Sequence, residues 1–366
     1  MQTITGNFAE AKIFTDDIEN YALAQIKNIL DNEISYGSKV RIMPDVHPGT
    51  VGPIGLTMTI KDSVIPSLLG VDIGCGMLIC EVNAKNIEFT RLDKEIQKKI
   101  PAGFAIRKEP HASATLDVLT DLRCFDHIDQ RKAALSLGTL GGGNHFIEID
   151  KSKDKTYIVI HTGSRHLGKE VAEYYMKAGR SSMVPYEMTT LRGKLMDDYI
   201  NDAIVVSRYA SLNRQIILKE ILKAMKWKAV RSFESMHNFL TRLDDGTLLL
   251  RKGASSALAG EDVIIPVNMR DGVIIGKGLG NPDWNCSAPH GSGRRLSRSE
   301  VKEHYTVSAF KQDMKGIYST CVGADTLDES PAAYRNIDDI LMNTNETVEV
   351  TDILKPVYNF KAGNKR

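Results

Sequence analysis

The stretch Gly70-Val71-Asp72-Ile73-Gly74-Cys75-Gly76-Met77 sets a carboxylate and a thiol three residues apart between glycines. Glycine permits the sharp backbone path that a turn around an ion needs. The pair offers one hard and one soft donor, and imidazoles would complete a site for a borderline transition metal. Taken alone, the stretch also reads as a buried cysteine beside a turn aspartate. Its setting is β-like. From Arg41 to Val82, glycine, proline and β-branched residues dominate, which predicts short buried strands joined by tight turns.

On the N-terminal side, Asp16 to Asn32 reads as an amphipathic helix. Ile18, Tyr21, Ala22, Ile26, Ile29 and Leu30 form its apolar face, and Asp16 with Glu19 forms a capping box. On the C-terminal side, Tyr157 to His161 is a strand. It runs into the turn Thr162-Gly163-Ser164-Arg165, and helical character follows from Gly168 to Ala178. Leu195 to Met225 is strongly helical, with a break expected at Ser211 to Asn213. Arg251 to Arg295 is again glycine-rich and short-stranded. The tail after Tyr334 is mostly polar, with a final apolar stretch at Ile353 to Phe360. No internal repeat or low-complexity linker interrupts the chain, so one mixed α/β domain over residues 1–366 is expected.

Apolar residues make up 42% and charged residues 25% of the 366 positions, an ordinary globular balance. The net charge of +1 excludes a global basic field, so any nucleic-acid contact must rest on local arginines and lysines. Cys75, Cys80, Cys124, Cys286 and Cys321 are odd in number and scattered, which argues against a disulfide framework and for a reducing compartment. The N-terminus has no apolar signal core and no run is long enough to span a bilayer, so a cytoplasmic protein without membrane partners is expected.

Three histidines strengthen the metal reading. His145 follows Gly141-Gly142-Gly143-Asn144, His161 ends an apolar strand, and His237 precedes Asn238. With Asp72 and Cys75 they point to a metal centre, whereas a closed structural zinc site would use C-x-x-C pairs that are absent here. The strand, turn and helix around Thr162 to Arg165 would present backbone N–H groups and a helix N-terminus to an anion, with Arg165 as a planar fork. A solvated loop arginine is the plainer reading. The triple glycine permits close backbone approach to a ligand or is simply a flexible turn. Ala288-Pro289-His290-Gly291-Ser292-Gly293-Arg294-Arg295 leaves space around His290, a candidate nucleophile on phosphorus, beside a basic patch of Arg294, Arg295 and Arg298. The plainer reading there is a loop histidine among solvated arginines. The Walker phosphate loop, the G-x-S-x-G elbow and the K-x-D-G lysine motif are all missing, and Gly276 to Gly280 lacks a dinucleotide fingerprint.

In this order the segments resemble the RtcB family of RNA-splicing ligases. The matching pieces are Met43-Pro44-Asp45-Val46-His47, Gly70 to Met77, Gly138 to Glu148, His161 to Arg165, His237-Asn238, Arg251 to Ala254 and His290 to Arg294. The resemblance implies sheets around a central metal-binding cleft and a GTP- and manganese-dependent RNA ligase. Such an enzyme joins 3′-phosphate or 2′,3′-cyclic phosphate ends to 5′-hydroxyl ends. GTP guanylates a histidine, GMP passes to the 3′-phosphate, and the 5′-hydroxyl displaces it; a cyclic phosphate is first opened by hydrolysis. By the same resemblance Asp72, Cys75, His145, His161 and His237 hold two manganese ions, with Cys75 shared. His290 matches the guanylated residue. Asn144, His145, Glu148, His237, Asn238, His290, Gly291, Ser292 and Gly293 match nucleotide-site positions, as do Pro266, Asn268 and Met269 on a neighbouring loop. Lys361 matches a guanine-contacting lysine and Tyr334 a nucleotide-stacking tyrosine. An archease-like activator is a further implied partner.

The chain departs from the family pattern in places. Pro266-Val267-Asn268-Met269-Arg270-Asp271 stands where Pro-Gly-Ser-Met-Gly-Thr is common, so Arg270 and Asp271 bring charge to the nucleotide loop. Ser292 replaces an alanine and His166 a glycine. These changes point to a divergent branch, closer to RNA repair than to core tRNA splicing. Two other functions use the same residues: a metal-dependent phosphoesterase that opens cyclic phosphates without sealing, and a non-catalytic RNA binder resting on the arginine patch.

Overall fold

The computed structural model describes residues 1–115 and 117–362. The expected domain over 1–366 therefore includes positions 116 and 363–366, which lie outside the described residues. Two large sheets organise a mixed α/β fold. The first has six strands in the order Gln2–Thr5, Glu10–Ile13, Val40–His47, Ile54–Ile60, Leu248–Lys252 and Asn238–Arg242. The second has seven, in the order Ala229–Met236, Gly76–Val82, Lys155–Thr162, Phe146–Ser152, Val348–Lys361, Gly272–Gly278 and Asp262–Asn268. All neighbours in the second sheet are antiparallel.

The second sheet curls until its first and last strands approach, where Arg231 pairs with Asp262 at 2.6 Å. Met77, Ile79, Val159, Ile264, Val273 and Leu354 fill the interior of the curl. On its outer face Leu78, Cys80, Ile147, Ile149, Ile158 and Ile160 meet Ile217 and Ile221 of the Gly193–Met225 helix and Leu92 and Ile96 of the Phe89–Lys99 helix. Both faces of these strands are buried, so they read as continuous apolar runs although the sheet is antiparallel.

Register explains how distant residues meet. Gly76 pairs with Met236 on one side and Thr162 on the other, and Phe146 pairs with His161. Cys75, His237, His161 and His145 therefore sit at one end of four adjacent strands. The first sheet brings Asp45 and His47 to the same level. A two-stranded pairing of Ala254–Ser256 with Ser287–Pro289 delivers His290.

Some local expectations change. The first helix is Asn20–Leu30; its N-cap residue Glu19 makes no side-chain cap, and Asp16 instead takes the N-terminal ammonium at 2.7 Å. Tyr21 is exposed because the buried stripe is Ala22, Gln25, Ile26, Ile29 and Leu30. The Gly193–Met225 helix runs through Ser211 to Asn213 without a break. Asparagine breaks helices when its side chain competes for nearby backbone groups, and Asn213 spends its amide on other segments instead. The Arg165–Ala178 helix starts directly after Ser164, three residues earlier than expected. All five cysteines are free.

Candidate active site

Asp72, Cys75 and His145 form one cluster of donor atoms, and Cys75, His161 and His237 another, each with its atoms within 4.8 Å of one another. Cys75 belongs to both. Its Sγ lies 3.5 Å from His145 Nε2 and 3.4 Å from His161 Nε2. His145 Nε2 lies 3.1 Å from Asp72 Oδ2, and His161 Nε2 lies 3.3 Å from His237 Nε2.

The imidazole tautomers follow from the groups behind them. His145 Nδ1 donates to the Leu140 carbonyl and His161 Nδ1 to the Asn144 carbonyl, each at 3.0 Å. Both Nε2 atoms thus face the thiol, where each would turn a lone pair to a bound cation, the usual outer-layer arrangement of metal-ligating histidines. Burial, with the positive charge of neighbouring groups, holds His161 and His237 well below the ordinary imidazole range, so both stay neutral. Burial raises Asp72, but the hydrogen bond and charge of His145 outweigh it and keep the carboxyl at about 2. Burial and the Asp72 charge push the Cys75 thiol well up, so it keeps its proton until a bound cation displaces it. One carboxylate, one thiol and three imidazoles with a shared sulfur fit a pair of transition-metal cations.

The Thr162 to Arg165 turn serves this cluster differently from expectation. The anion at the helix start is Asp72 itself, whose Oδ1 accepts from Ser164 N–H at 3.0 Å. Gly163 has to be glycine, since a Cβ would lie 2.1 Å from that oxygen. Arg165 turns inward to Thr139 Oγ1 at 3.1 Å and the Gly103 carbonyl at 2.9 Å.

Beside the cluster lies His290, its ring centroid 4.9 Å from that of His237. His290 Nδ1 donates to Asp45 Oδ2 at 2.6 Å, and the His290 backbone N–H reaches the same oxygen at 3.2 Å. Asp45 is fully buried. Nε2 of His290 is left with its lone pair available.

A cavity of about 360 Å³ opens in front of His290. Asn144, Glu148, Pro266, Asn268, Met269, Gly291, Ser292, Gly293, Tyr334 and Lys361 all line it, as does His161. His145, His237 and Asn238 do not. Asn238 instead ties the metal turn to the next loop, donating to the Asp72 carbonyl at 3.3 Å and accepting from Gly253 N–H at 2.9 Å. Arg270 and Asp271 do not line the cavity either: they pair with each other at 3.0 Å, and Asn268 Oδ1 caps both of their backbone N–H groups. The divergent loop therefore adds little charge to the cavity.

At the far wall Lys361 lies 3.1 Å from Glu329 Oε2, and Tyr334 donates to the same oxygen at 2.6 Å. Arg294 and Arg298 also reach Glu329, and Arg298 bonds Asp328. The Arg294 and Arg298 charges are thus spent on acids of the Ala324–Glu329 turn rather than presented as a free basic patch. Burial pushes Glu148 up to about 8, against the pull of its 2.5 Å bond from Asn359 and the charge of Lys361.

Glu329 yields a pH prediction. Burial raises its carboxyl, but Lys361, Arg298, Tyr334 and Arg294 more than offset that and hold it at about 2 against 4.5 when free. A depressed carboxyl stabilises the fold fully above its free value and loses that contribution as pH falls toward 2. The gap corresponds to on the order of 3 kcal/mol. Denaturant unfolding at pH 5 and pH 3 should show a smaller drop in Glu329→Gln than in wild type; equal drops would remove Glu329 as the source.

A family model described as tRNA-splicing ligase RtcB matches residues 25–123 and 118–362. The chain belongs to the RtcB family. RtcB relatives extend over nearly its whole length. RNA-splicing ligase RtcB of Escherichia coli K12 is 29% identical, covering 98% of this chain and 99% of that protein. The tRNA-splicing ligases RtcB of Nanoarchaeum equitans and Thermococcus kodakarensis are 24% and 26% identical, covering 93% and 83% of this chain. The mixed α/β fold and the resemblance drawn from the motifs agree with this RtcB membership. Among the described residues no helix is long and apolar enough to cross a membrane.

Sequence reading gave Asp45 and Glu329 no role. Asp45 sits in a quoted RtcB motif, and an acid inside the otherwise apolar run from Ile42 to Val46 was the available signal. Glu329 carried no such signal, because its partners come from four other positions.

Proposed function

We propose that this chain is an RNA ligase that uses GTP to join a 3′-phosphate or 2′,3′-cyclic phosphate end to a 5′-hydroxyl end, through a guanylate on His290. The observation that carries the reading is one imidazole, fixed by a buried carboxylate, standing between a two-cluster donor set and a nucleotide-sized cavity. The names of its RtcB relatives support RNA as the substrate.

Asp72, Cys75 and His145 would hold one cation and Cys75, His161 and His237 the other; manganese is the family expectation. When bound, the cations orient the triphosphate and offset charge at phosphorus and on the leaving pyrophosphate. The chain's own residues do the rest. Asp45 fixes the His290 ring so that Nε2 faces the cavity, where its lone pair attacks the α-phosphorus and a P–N bond replaces the bond to pyrophosphate. The Asp45 carboxylate offsets the positive charge that develops on the ring, as a buried acid does for an imidazole base. Tyr334, Lys361, Glu148 and Asn144 hold the nucleotide in place. GMP then passes to the RNA 3′-phosphate, and attack by the 5′-hydroxyl releases it.

A phosphoesterase would need the cation clusters but not an imidazole locked by Asp45. The test is a broken RNA hairpin with a cyclic phosphate, incubated with manganese and labelled GTP. Sealed product and an acid-labile label on the protein are expected. A hydrolysed end alone, at every nucleotide tried, would overturn sealing.

A further inference from the structure

The candidate ligands lie on four separate stretches of chain: the Asp72 to Cys75 turn, the loop leading to His145, the end of the His161 strand, and the strand leading to His237. Sheet register sets their height, but the turns lie beyond the last ladder bonds and need other anchors.

Two neighbouring side chains of the Gly193–Met225 helix touch all four stretches. Both Asn213 and Arg214 are 0% exposed. Asn213 Oδ1 accepts from the backbone N–H groups of Gly138 and Thr139 at 2.7 and 3.1 Å, at the start of the His145 loop. Its Nδ2 donates to the carbonyls of Thr139 and Gly163, each at 3.1 Å, the second lying two residues after His161. Arg214 Nη1 donates to the carbonyls of Gly74 and Thr162, each at 2.9 Å. Its Nη2 pairs with Glu234 Oε2 at 3.0 Å, three residues before His237. The Asp72 to Cys75 turn also rests flush on this helix: Gly74 has φ +74°, and a Cβ there would lie 2.7 Å from Ser207 Cα.

A buried guanidinium is costly to desolvate and offers no advantage over an apolar side chain for helix packing alone. What it does offer is several fixed donors in one plane, and here these span two ligand-bearing turns and the acid beside a third. We infer that Asn213 and Arg214 are positioning residues that hold the ligand segments at cation-binding spacing before any cation arrives. The inference rests on the cation reading of the two clusters and assigns neither residue to the coordination itself. Asp202, on the same helix and equally buried, is the natural comparison. It accepts from Arg123 N–H at 2.7 Å, Cys124 N–H at 3.0 Å and Tyr175 O–H at 2.7 Å, none of them on a ligand-bearing stretch.

The test uses the full chain stripped of metal and titrated with Co²⁺, whose visible absorption reports imidazole and thiolate coordination, alongside thermal melting. Arg214→Lys keeps a charge beside Glu234 but cannot span the Gly74 and Thr162 carbonyls; Asn213→Ala removes the other strap. Each should weaken Co²⁺ binding roughly 10- to 100-fold, the range for outer-layer contacts. Asp202→Asn should lower the melting temperature while leaving Co²⁺ affinity at the wild-type value. Unchanged affinity in both strap variants, or an equal loss in Asp202→Asn, would overturn the inference. A measurement on wild type stands apart from any folding failure. The Gly138 and Thr139 amide hydrogens should be as protected from exchange in metal-free protein as with Co²⁺ bound, and protection appearing only with Co²⁺ would contradict prior positioning. Wild type that binds no Co²⁺ would instead overturn the metal-centre reading underneath.

Discussion

His290→Ala is expected to take up no GMP from labelled GTP while still binding its cations, a loss of at least about 10⁴-fold in guanylation rate. The competing nucleophile is His47. Its ring is stacked 6.3 Å from that of His290, its Nδ1 donates to the Asp45 carbonyl at 2.9 Å, and burial keeps it neutral by holding it at about 4. What it lacks is a carboxylate beneath Nδ1, so charge developing on its ring has only a carbonyl dipole to meet it. It also lacks contact with a metal-cluster residue, whereas His290 lies against His237. Label retained in His290→Ala, or recovered on His47 by peptide mapping, would move the chemistry to the other ring. Asp45→Asn should fall between, at on the order of 10²- to 10⁴-fold slower, because the ring keeps its place but loses its charge partner and preferred tautomer.

Cys75→Ser should weaken binding of both cations together, by at least about 100-fold judged from outer-layer changes that alone cost up to that much. Sγ is the donor common to the two clusters, so a single atom exchange reaches both. Asp72→Asn touches only the cluster with His145 and should leave one cation bound. Calorimetric titration of metal-free protein with Mn²⁺ separates these outcomes. Two sites lost in Cys75→Ser and one in Asp72→Asn is the expected pattern; the same stoichiometry in both variants would mean the sulfur is not shared. The buried thiol faces imidazoles, Asp72 and the Gly76 backbone, all polar partners that a serine hydroxyl can still meet, so melting of the metal-free variant should stay near wild type.

The candidate ligands Asp72, Cys75, His145, His161 and His237 stood out in the sequence because their residue types are scarce and their glycine settings unusual. Their convergence could not be read from spacing, since it depends on Gly76 pairing with both Thr162 and Met236. Asp45 shows the complementary limit. It sits in the Met43 to His47 motif, but its partner His290 lies 245 residues away, so the motif alone did not show what it holds. Local rules failed where tertiary contacts claimed the side chains first. Asp16 and Glu19 looked like a capping box, yet Asp16 is taken by the N-terminus. Asn213 looked like a helix breaker, yet its amide bonds two distant loops. Arg165 and Arg294 looked free for phosphate, yet both are committed to neighbouring backbone or acids. Charged residues on glycine-rich loops invite a ligand reading because the sequence hides such internal partners.

The most direct measurement is anomalous diffraction at the manganese edge from crystals grown with Mn²⁺ and GTP. The account predicts two peaks, one bounded by Asp72, Cys75 and His145 and one by Cys75, His161 and His237, with continuous density from His290 Nε2 to phosphorus. Peaks elsewhere, or a His290 ring turned out of the cavity with the nucleotide bonded to another residue, would contradict it.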